Sequence, residues 1–239
     1  QQVSAIGAIL STIETPLRVA SEELEALSKI FSREQFTKHI LPITNTIQSR
    51  YLAIGNLLHV QKILSDQSKA VFSPCLIQEI FQSSLNIIRL RAQAKGLAVR
   101  TEIADEVPKI IYTDRDRLVF ILMNLLSNAL EHTPQGSIAL KVVSANRNFL
   151  KISVKDTGTG ISAEKLLQLK SRIDSKEIPW EVILSQPENF NGIGLLVSNA
   201  LIHQISPKKE SRGLRISSTV GEGSEFSFFI EDSIQIDEN

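Results

Sequence analysis

An apolar stripe with coiled-coil spacing runs through the N-terminal third of the chain and constrains its fold more than any other feature. Apolar or small residues recur there in alternating steps of four and three, which places them on one side of a helix. A short polar break follows, with Ser32 as the predicted N-cap, and a second stripe begins at Ile40. The two stripes comprise Ile6, Leu10, Ile13, Leu17, Ala20, Leu24, Leu27 and Phe31, and then Ile40, Ile43, Ile47, Tyr51, Ile54 and Leu58.

Two such helices joined by a short break predict an antiparallel helical hairpin. A single hairpin cannot cover both of its apolar faces, whereas two hairpins paired as a four-helix bundle can. The N-terminal segment therefore predicts a homodimer assembled through the hairpin. Pro16 lies within the first predicted helix, so either the helix begins near this residue or it bends there.

Beyond the hairpin, the pattern changes to short helices and strands. Residues 65–72 are a predicted linker. Pro74 is predicted to open a helix over residues 76–95, which Gly96 ends as a left-handed cap. Together the remaining elements predict helices over one face of a mixed sheet, an α+β sandwich. Strands are predicted at 97–103, 109–112, 137–144, 149–155, 214–219 and 225–230, and helices at 114–132, from Ser162 onward, and at 192–204.

Charge and cysteine content exclude several classes of function. The chain has 26 Lys and Arg residues against 26 Asp and Glu residues, so it has no basic field to attract nucleic acid or anionic lipid. No apolar run is long enough to span a membrane. Cys75 is the lone cysteine, which is typical of a reducing compartment. We therefore expect this segment to be cytoplasmic, without nucleic-acid or membrane contact.

The chain begins at Gln1, without an initiator methionine or a signal-peptide pattern. We expect it to be a piece of a longer protein. That full-length protein can be membrane-anchored or lie in an organelle without any sign of it in this segment.

Two asparagines, Asn124 and Asn128, lie four residues apart in a predicted helix and so share one of its faces. Amide oxygens on such a face can coordinate Mg²⁺ together with phosphate oxygens and water. The alternative is structural, since a buried asparagine in a helix commonly serves packing.

A glycine-rich segment follows the predicted strand that ends near Asp156. A carboxylate there can accept a hydrogen bond from an exocyclic amine such as that of adenine. Gly158 and Gly160 would let the backbone approach the base closely. An ordinary turn between a strand and a helix is the alternative interpretation.

A second glycine pair, Gly192 and Gly194, opens a predicted helix. Glycines at a helix N-terminus expose backbone N–H groups and the positive end of the helix dipole to phosphate. A flexible loop is the alternative.

The order and spacing of these three motifs resemble the histidine-kinase branch of the ATPase superfamily that also contains gyrase, the Hsp90 chaperone and MutL. Residues 124–128 resemble that family's N box, residues 156–160 its G1 box and residues 192–195 its G2 box. Residues 220–226 are similar to the turn that closes such domains.

The N-terminal segment fits the same resemblance. Thr15-Pro16-Leu17 resembles the tail of the phosphoacceptor box, and residues 54–58 resemble the end of the second dimerisation helix. The resemblance implies an α+β chain with three parts: a hairpin module at 1–68 that dimerises as a four-helix bundle, an α/β sandwich ATP-binding domain at 69–233, and a tail at 234–239.

The resemblance also implies site residues and the cofactors ATP and Mg²⁺. Asn128 is then the main Mg²⁺ ligand, with Asn124 assisting, and Asp156 holds the adenine amine. The gyrase-like branch has a glutamate base where this chain has Asn124, so the site is expected to hold ATP rather than hydrolyse it quickly. The residues implied to line the nucleotide are Gly158, Gly160, Ile161, Gly192, Ile193, Gly194 and Leu195.

The main departure from the family is at the acceptor. The family's histidine position is occupied by Ser11. A serine hydroxyl needs a base, and Glu14 lies three residues on, on the same helical face. Alternatively Ser11 is silent on a docking helix, or it stands where an acceptor histidine was replaced. His39 and His59 are more distant substitutes.

Three smaller departures affect turnover more than binding. Glu131 stands where many relatives have a lysine near the phosphates, and Phe190 occupies the place of the first G2 glycine. The predicted lid lacks the familiar phenylalanine-rich box, for which Trp180 is a substitute or simply a core residue.

Three functions follow from the resemblance. The first is a two-component sensor kinase core that passes the ATP γ-phosphoryl group to an acceptor and on to a response regulator. The second is a pseudokinase, a dimeric nucleotide-binding scaffold that docks a regulator or another signalling protein. The third is a serine kinase of the mitochondrial type, which would phosphorylate an outside protein.

Overall fold

The computed structural model describes residues 2–27, 30, 32–64, 69–146, 149–175, 193–206 and 213–231. The chain divides into two units, Gln1–Lys69 with Ile178–Val197 and Ala70–Glu177 with Ser198–Asn239. Among the described helices, none is long and apolar enough to cross a membrane.

The N-terminal unit is helical. Helix α1 spans Gln2–Leu27, a short α2 spans Arg33–Gln35 and continues into a π-helical turn at Phe36–Ile40, and α3 spans Leu41–Leu64. The predicted cap is confirmed, because the Gln35 N–H donates to Ser32 Oγ at 3.3 Å. Helices α1 and α3 pack against each other.

The buried face of α3 coincides only in part with the predicted stripe, of which Leu58 is buried. Ile43, a stripe residue, is 50% exposed, whereas Thr44 and Gln48 are buried. Leu52 continues this buried face one turn further on. The helix carries apolar residues on more than one side, so periodicity could not decide which side becomes buried.

The sandwich predicted for the rest of the chain is confirmed as an α+β fold. Its elements are β1 (Ser73–Leu76), α4 (Ile77–Lys95), β2 (Ala98–Ile103), β3 (Ile110–Thr113), α5 (Arg115–His132), β4 (Ser137–Asn146), β5 (Phe149–Asp156), α6 (Ala163–Asp174), α7 (Ile193–Ile205), β6 (Arg215–Thr219) and β7 (Gly223–Glu231). The main sheet has five strands in the order β2-β4-β5-β7-β6, with β2 and β4 parallel and the other pairs antiparallel. Helix α4 packs on α5 and β2, and α5 packs on β4 and β5.

The segment before α4 differs from the prediction, although the helix itself begins at Ile77, one residue after the predicted start. Pro74 lies in β1, opposite Tyr112 of β3, in a separate two-stranded antiparallel sheet. An edge strand tolerates proline because the missing N–H is not needed there. The predicted end of the helix is confirmed, since Gly96 caps α4 with a φ of 71°.

The sheet register places the end of β5 beside the start of β7. Asp156, the last residue of β5, pairs with Ser224 on one side and with Ile138 of β4 on the other. The loop that leaves Asp156 therefore runs next to the turn between β6 and β7.

Candidate nucleotide-binding site

Asp156 is the buried acid at the end of β5, with 3% of its surface exposed. Its Oδ1 accepts hydrogen bonds from the N–H of Gly158 at 2.8 Å and from the N–H of Ser224 at 3.3 Å. Within the described part of the chain, both hydrogen bonds to this carboxylate fall on Oδ1. The arrangement leaves Oδ2 as an acceptor for a donor that comes from a ligand.

Burial raises the pKa of the Asp156 carboxyl above its usual value. The N–H groups of Gly158 and Ser224 and the electrostatic effect of His132 act in the opposite direction without cancelling it. A donor that reaches this carboxylate stabilises its charged form. A buried carboxylate with a raised pKa is a feature typical of ligand sites.

The loop after β5 has no room for side chains at its two glycines. A Cβ on Gly158 would overlap the carbonyl oxygen of His132, at the end of α5. A Cβ on Gly160, whose φ is +67°, would overlap the carbonyl oxygen of Thr219, at the end of β6. The sequence predicts that these glycines allow a nucleotide base to approach the backbone. The structure adds a second requirement for glycine, because backbone carbonyl groups of the protein itself leave no space for a side chain at either position.

Backbone hydrogen bonds hold the same loop in place. The Thr159 N–H donates to the His132 carbonyl oxygen at 3.1 Å, and the Gly221 N–H donates to the Thr159 carbonyl oxygen at 2.9 Å. The half-buried Ile161 donates its N–H to Ser218 Oγ at 2.8 Å. The loop is thus preorganised between α5 and the β6–β7 turn.

Helix α5 carries the two asparagines, and they lie in different environments. Asn124 is 4% exposed, and its Nδ2 donates to Ser198 Oγ of α7 at 3.3 Å. Asn128, one turn later, is half-buried. Its side chain makes no hydrogen bond to the residues that the structure describes.

A metal ion at this site would need oxygen ligands from amides and phosphates. The described residues contain no group of three or more His, Cys, Asp and Glu side chains that could hold a metal ion. The Asn128 oxygen is a hard ligand of the kind Mg²⁺ accepts, and Mg²⁺ commonly takes few protein ligands when nucleotide phosphates and water complete its shell. The residues present therefore fit a metal that arrives with a nucleotide.

The G2 segment opens α7. Gly194 is half-buried in the first turn of this helix, and Ile193 and Leu195 beside it are buried. Gly192, Phe190 and Trp180 lie outside the described residues.

Two basic residues of α4, Arg91 and Lys95, lie near the C-terminal end of α5. Glu131 is exposed at this end of the helix. Lys95 Nζ donates to the Leu130 carbonyl oxygen at 2.6 Å. Burial lowers the pKa of both Arg91 and Lys95, and the Glu131 carboxylate partly offsets this effect. Glu131 thus interacts with positive charges supplied by α4.

The acceptor region is described only in part. Ser11 lies in α1, but its side chain is outside the described residues, whereas Glu14 is half-buried. His39 is exposed in the π-helical turn, and His59 is half-buried in α3. The pairing of Ser11 with Glu14 remains a prediction.

Several residues that shape the site were missed by the sequence analysis. Ser198 contacts Asn124, and the Ser224 N–H contacts Asp156. Asn199 is 5% exposed and bonds the Ile173 carbonyl oxygen at 3.2 Å and the Leu214 N–H at 2.8 Å. The available signal was the polar pair Ser198-Asn199 between two apolar stretches of α7.

The fold and this site define an ATPase-type nucleotide domain. Residues 113–234 match the family described as histidine kinase-, DNA gyrase B- and HSP90-like ATPase, and the chain belongs to this family. The matched region contains both asparagines, Asp156 and the glycines of both loops.

Individual relatives are sensor kinases. The sensor histidine kinase GacS of Pseudomonas protegens is 27% identical over 228 residues, covering 91% of this chain and 24% of the relative. The aerobic respiration control sensor protein ArcB of Escherichia coli is 28% identical over 232 residues, covering 92% of this chain and 28% of the relative. The chain thus spans about a quarter of the length of these curated relatives.

The fold is also shared with a solved structure, full-length ShkA in complex with AMPPNP. The TM-score is 0.59 at 20% sequence identity, and the match covers 95% of this chain and 45% of ShkA. At this identity the likeness concerns the fold alone.

Proposed function

We propose that this chain is the ATP-binding kinase core of a two-component sensor histidine kinase. It binds ATP with Mg²⁺, and the γ-phosphoryl group passes to an acceptor and then to a response regulator. The observation that carries the proposal is Asp156, a buried carboxylate whose Oδ2 accepts no hydrogen bond from the described residues. The resemblance assigns this position to the adenine amine.

Each site residue has a role in this proposal. Asp156 Oδ2 accepts a hydrogen bond from the adenine amine, while Oδ1 stays bonded to the loop. The Asn128 oxygen binds Mg²⁺, which neutralises charge on the phosphate oxygens. Asn124 assists from one turn earlier and lacks the basicity to activate water, so ATP is held rather than rapidly hydrolysed.

The glycines of the two loops complete the nucleotide site in this proposal. Gly158, Gly160 and Ile161 line one side of it. The first turn of α7 presents backbone N–H groups to phosphate.

Assembly through the helical unit is part of the proposal. Ile13 and Val19 of α1 are each 43% exposed, and Ile43 of α3 is 50% exposed. Burial of apolar surface favours association, so these side chains support a homodimer in which two hairpins form a four-helix bundle. Ser11 of α1 is the proposed acceptor position, with Glu14 as its base.

A second candidate function is a pseudokinase that binds nucleotide and docks signalling partners without phosphorylating itself. The observation that favours it is Ser11 at the histidine position. Glu131, where relatives carry a lysine, also favours binding without turnover.

Nucleotide binding is tested first, by measuring the Kd of ATP with Mg²⁺ for the whole chain. Asp156→Ala removes a charged hydrogen-bond acceptor, which corresponds to a loss of about 1.5–3 kcal/mol, or about 10- to 160-fold in Kd. Asn128→Ala should weaken binding only when Mg²⁺ is present. Matched controls are Asp105→Ala, at an exposed position, and Asn86→Ala, at a half-buried position on α4.

Phosphoryl transfer is tested with γ-labelled ATP, followed by acid and base treatment of the product. Acid-stable label that disappears in Ser11→Ala supports a kinase with a serine acceptor. Acid-labile label points to His39, His59 or another histidine. Absence of label with intact ATP binding favours the pseudokinase, and Ser11→His then tests whether the acceptor alone is missing.

A further inference from the structure

The chain that enters the second unit is bonded to the start of α5. The Val71 N–H donates to Asp114 Oδ2 at 2.9 Å. Asp114 is 6% exposed and caps α5, because its Oδ1 accepts from the Arg117 N–H at 3.1 Å. One carboxylate therefore holds both the incoming backbone and the first turn of the helix that carries the two asparagines.

The same carboxylate is paired with a buried arginine that reaches a third element. Arg117 Nε lies 3.2 Å from Asp114 Oδ2, and Arg117 is 8% exposed. Its Nη1 donates to Gln204 Oε1 of α7 at 2.6 Å. A guanidinium has a rigid fork of donors, so it fixes the relative positions of the groups that it joins.

Helices α5 and α7 are joined at two levels. Arg117 bonds Gln204, and two turns later along α5 Asn124 bonds Ser198, which is earlier in α7. The pairs run in opposite order along the two helices, so this part of α7 is antiparallel to α5. The second level lies one turn from Asn128, the proposed metal ligand.

We propose that the Asp114–Arg117 pair is a positioning element that couples the incoming segment at Val71 to α7 and thereby sets nucleotide affinity. This inference rests on the proposed ATP-binding function. A shift of the Val71 backbone displaces Asp114, the displaced carboxylate moves Arg117, and Arg117 moves Gln204. Residues 1–69 of the first unit precede Val71 in the chain, so this segment is one covalent route by which a signal from those residues reaches the nucleotide domain.

Coupling of this kind is reciprocal. If the position of Val71 changes the affinity for ATP, then bound ATP must stabilise the bonded position of Val71 by the same factor. The Val71 amide hydrogen should therefore exchange more slowly with solvent when nucleotide is bound. Bound nucleotide also slows every amide that exchanges through global unfolding. The protection that reports coupling is therefore the part at Val71 that exceeds this general effect.

Gln204→Leu tests the coupling in the full chain, because it removes the hydrogen bond from Arg117 to α7. It leaves the Val71–Asp114 and Asn124–Ser198 hydrogen bonds in place. We expect the Kd of ATP with Mg²⁺ to rise about 5-fold or more. We also expect ATP to stop protecting the amides of a peptide at residues 69–76 in hydrogen exchange followed by mass spectrometry.

Two further variants separate coupling from loss of fold. Gln204→Glu keeps an acceptor for Arg117 Nη1 and should restore both the affinity and the protection. Gln93→Leu, at an exposed glutamine on α4, is the matched control and should resemble the wild type. Arg117→Lys keeps the charge beside Asp114 but not the fork, and should reproduce the defect of Gln204→Leu.

The outcomes distinguish the two proposals. A wild-type chain that binds no ATP overturns the proposed function, and the coupling with it. Wild-type binding with unchanged affinity and protection in Gln204→Leu overturns the coupling alone. Failure of Gln204→Glu to restore protection also overturns it.

Discussion

Two glycines with nearly the same backbone conformation have different surroundings, and this difference gives a matched test of the site loop. Gly160, in the loop after β5, has a φ of +67°, and Gly96, at the end of α4, has a φ of +71°. A Cβ on Gly160 would overlap the carbonyl oxygen of Thr219, whereas a Cβ on Gly96 would meet nothing within 4 Å.

The expected destabilisation has two contributions, the left-handed backbone conformation and the steric overlap of the added Cβ. Alanine in a left-handed conformation costs about 1–2 kcal/mol, and this cost is common to both positions. Overlap with packed atoms adds about 1–3 kcal/mol at Gly160 alone. Gly160→Ala should therefore lose about 2–5 kcal/mol of folding free energy, against about 1–2 kcal/mol for Gly96→Ala. Relief of the overlap also displaces Thr159, whose carbonyl oxygen accepts from Gly221 at 2.9 Å.

The assay is urea unfolding of the full chain followed by circular dichroism, together with the Kd of ATP. Displacement of the loop moves Asp156, so Gly160→Ala should weaken ATP binding about tenfold or more, since each factor of ten requires only about 1.4 kcal/mol. Gly96→Ala should bind ATP normally. Equal destabilisation by the two substitutions would refute the steric argument, and normal ATP binding by Gly160→Ala would refute the role of the loop.

Three further predictions concern buried or capping groups. Burial raises the pKa of Asp156 in the folded state. Between the usual aspartate pKa and this raised pKa, the folded chain holds a proton that the unfolded chain has lost. The free energy of unfolding should therefore fall as the pH rises through this range. Asp156→Asn should remove this slope and make the nucleotide-free protein more stable at neutral pH, as measured by urea unfolding at several pH values. Lys95→Met removes the bond to the last turn of α5 and should cost about 1 kcal/mol in the same assay. Asn199→Ala leaves the Ile173 carbonyl oxygen and the Leu214 N–H without their partner, and should lower the free energy of unfolding by about 2–4 kcal/mol.

Features that depend on near neighbours in the chain were predictable. Ser32 and Ser162 cap helices through residues three positions later, and Gly96 ends α4 in a left-handed conformation. Strand alternation located the strands of the main sheet to within a few residues. The spacing of Asn124, Asn128, Asp156 and the glycines pointed to a nucleotide site because a helix face and a strand end are local geometries.

Features that depend on which elements meet were not predictable in this way. The strand at Ser73–Leu76 was not predicted, since nothing local indicated that β3 would pair with this segment. Periodicity did not select the side of α3 that is buried, because more than one of its sides is apolar.

The sequence by itself determined the main-sheet strands, several helix ends and the residue types of the site, because caps, periodicity and glycine conformation act over a few residues. Only the tertiary structure decided what those residues contact. It brought Arg117 to Gln204 across 87 positions of the chain, and Asn124 to Ser198 across 74. Such pairings depend on how the helices pack on the sheet, and packing is a property of the whole fold rather than of any short segment.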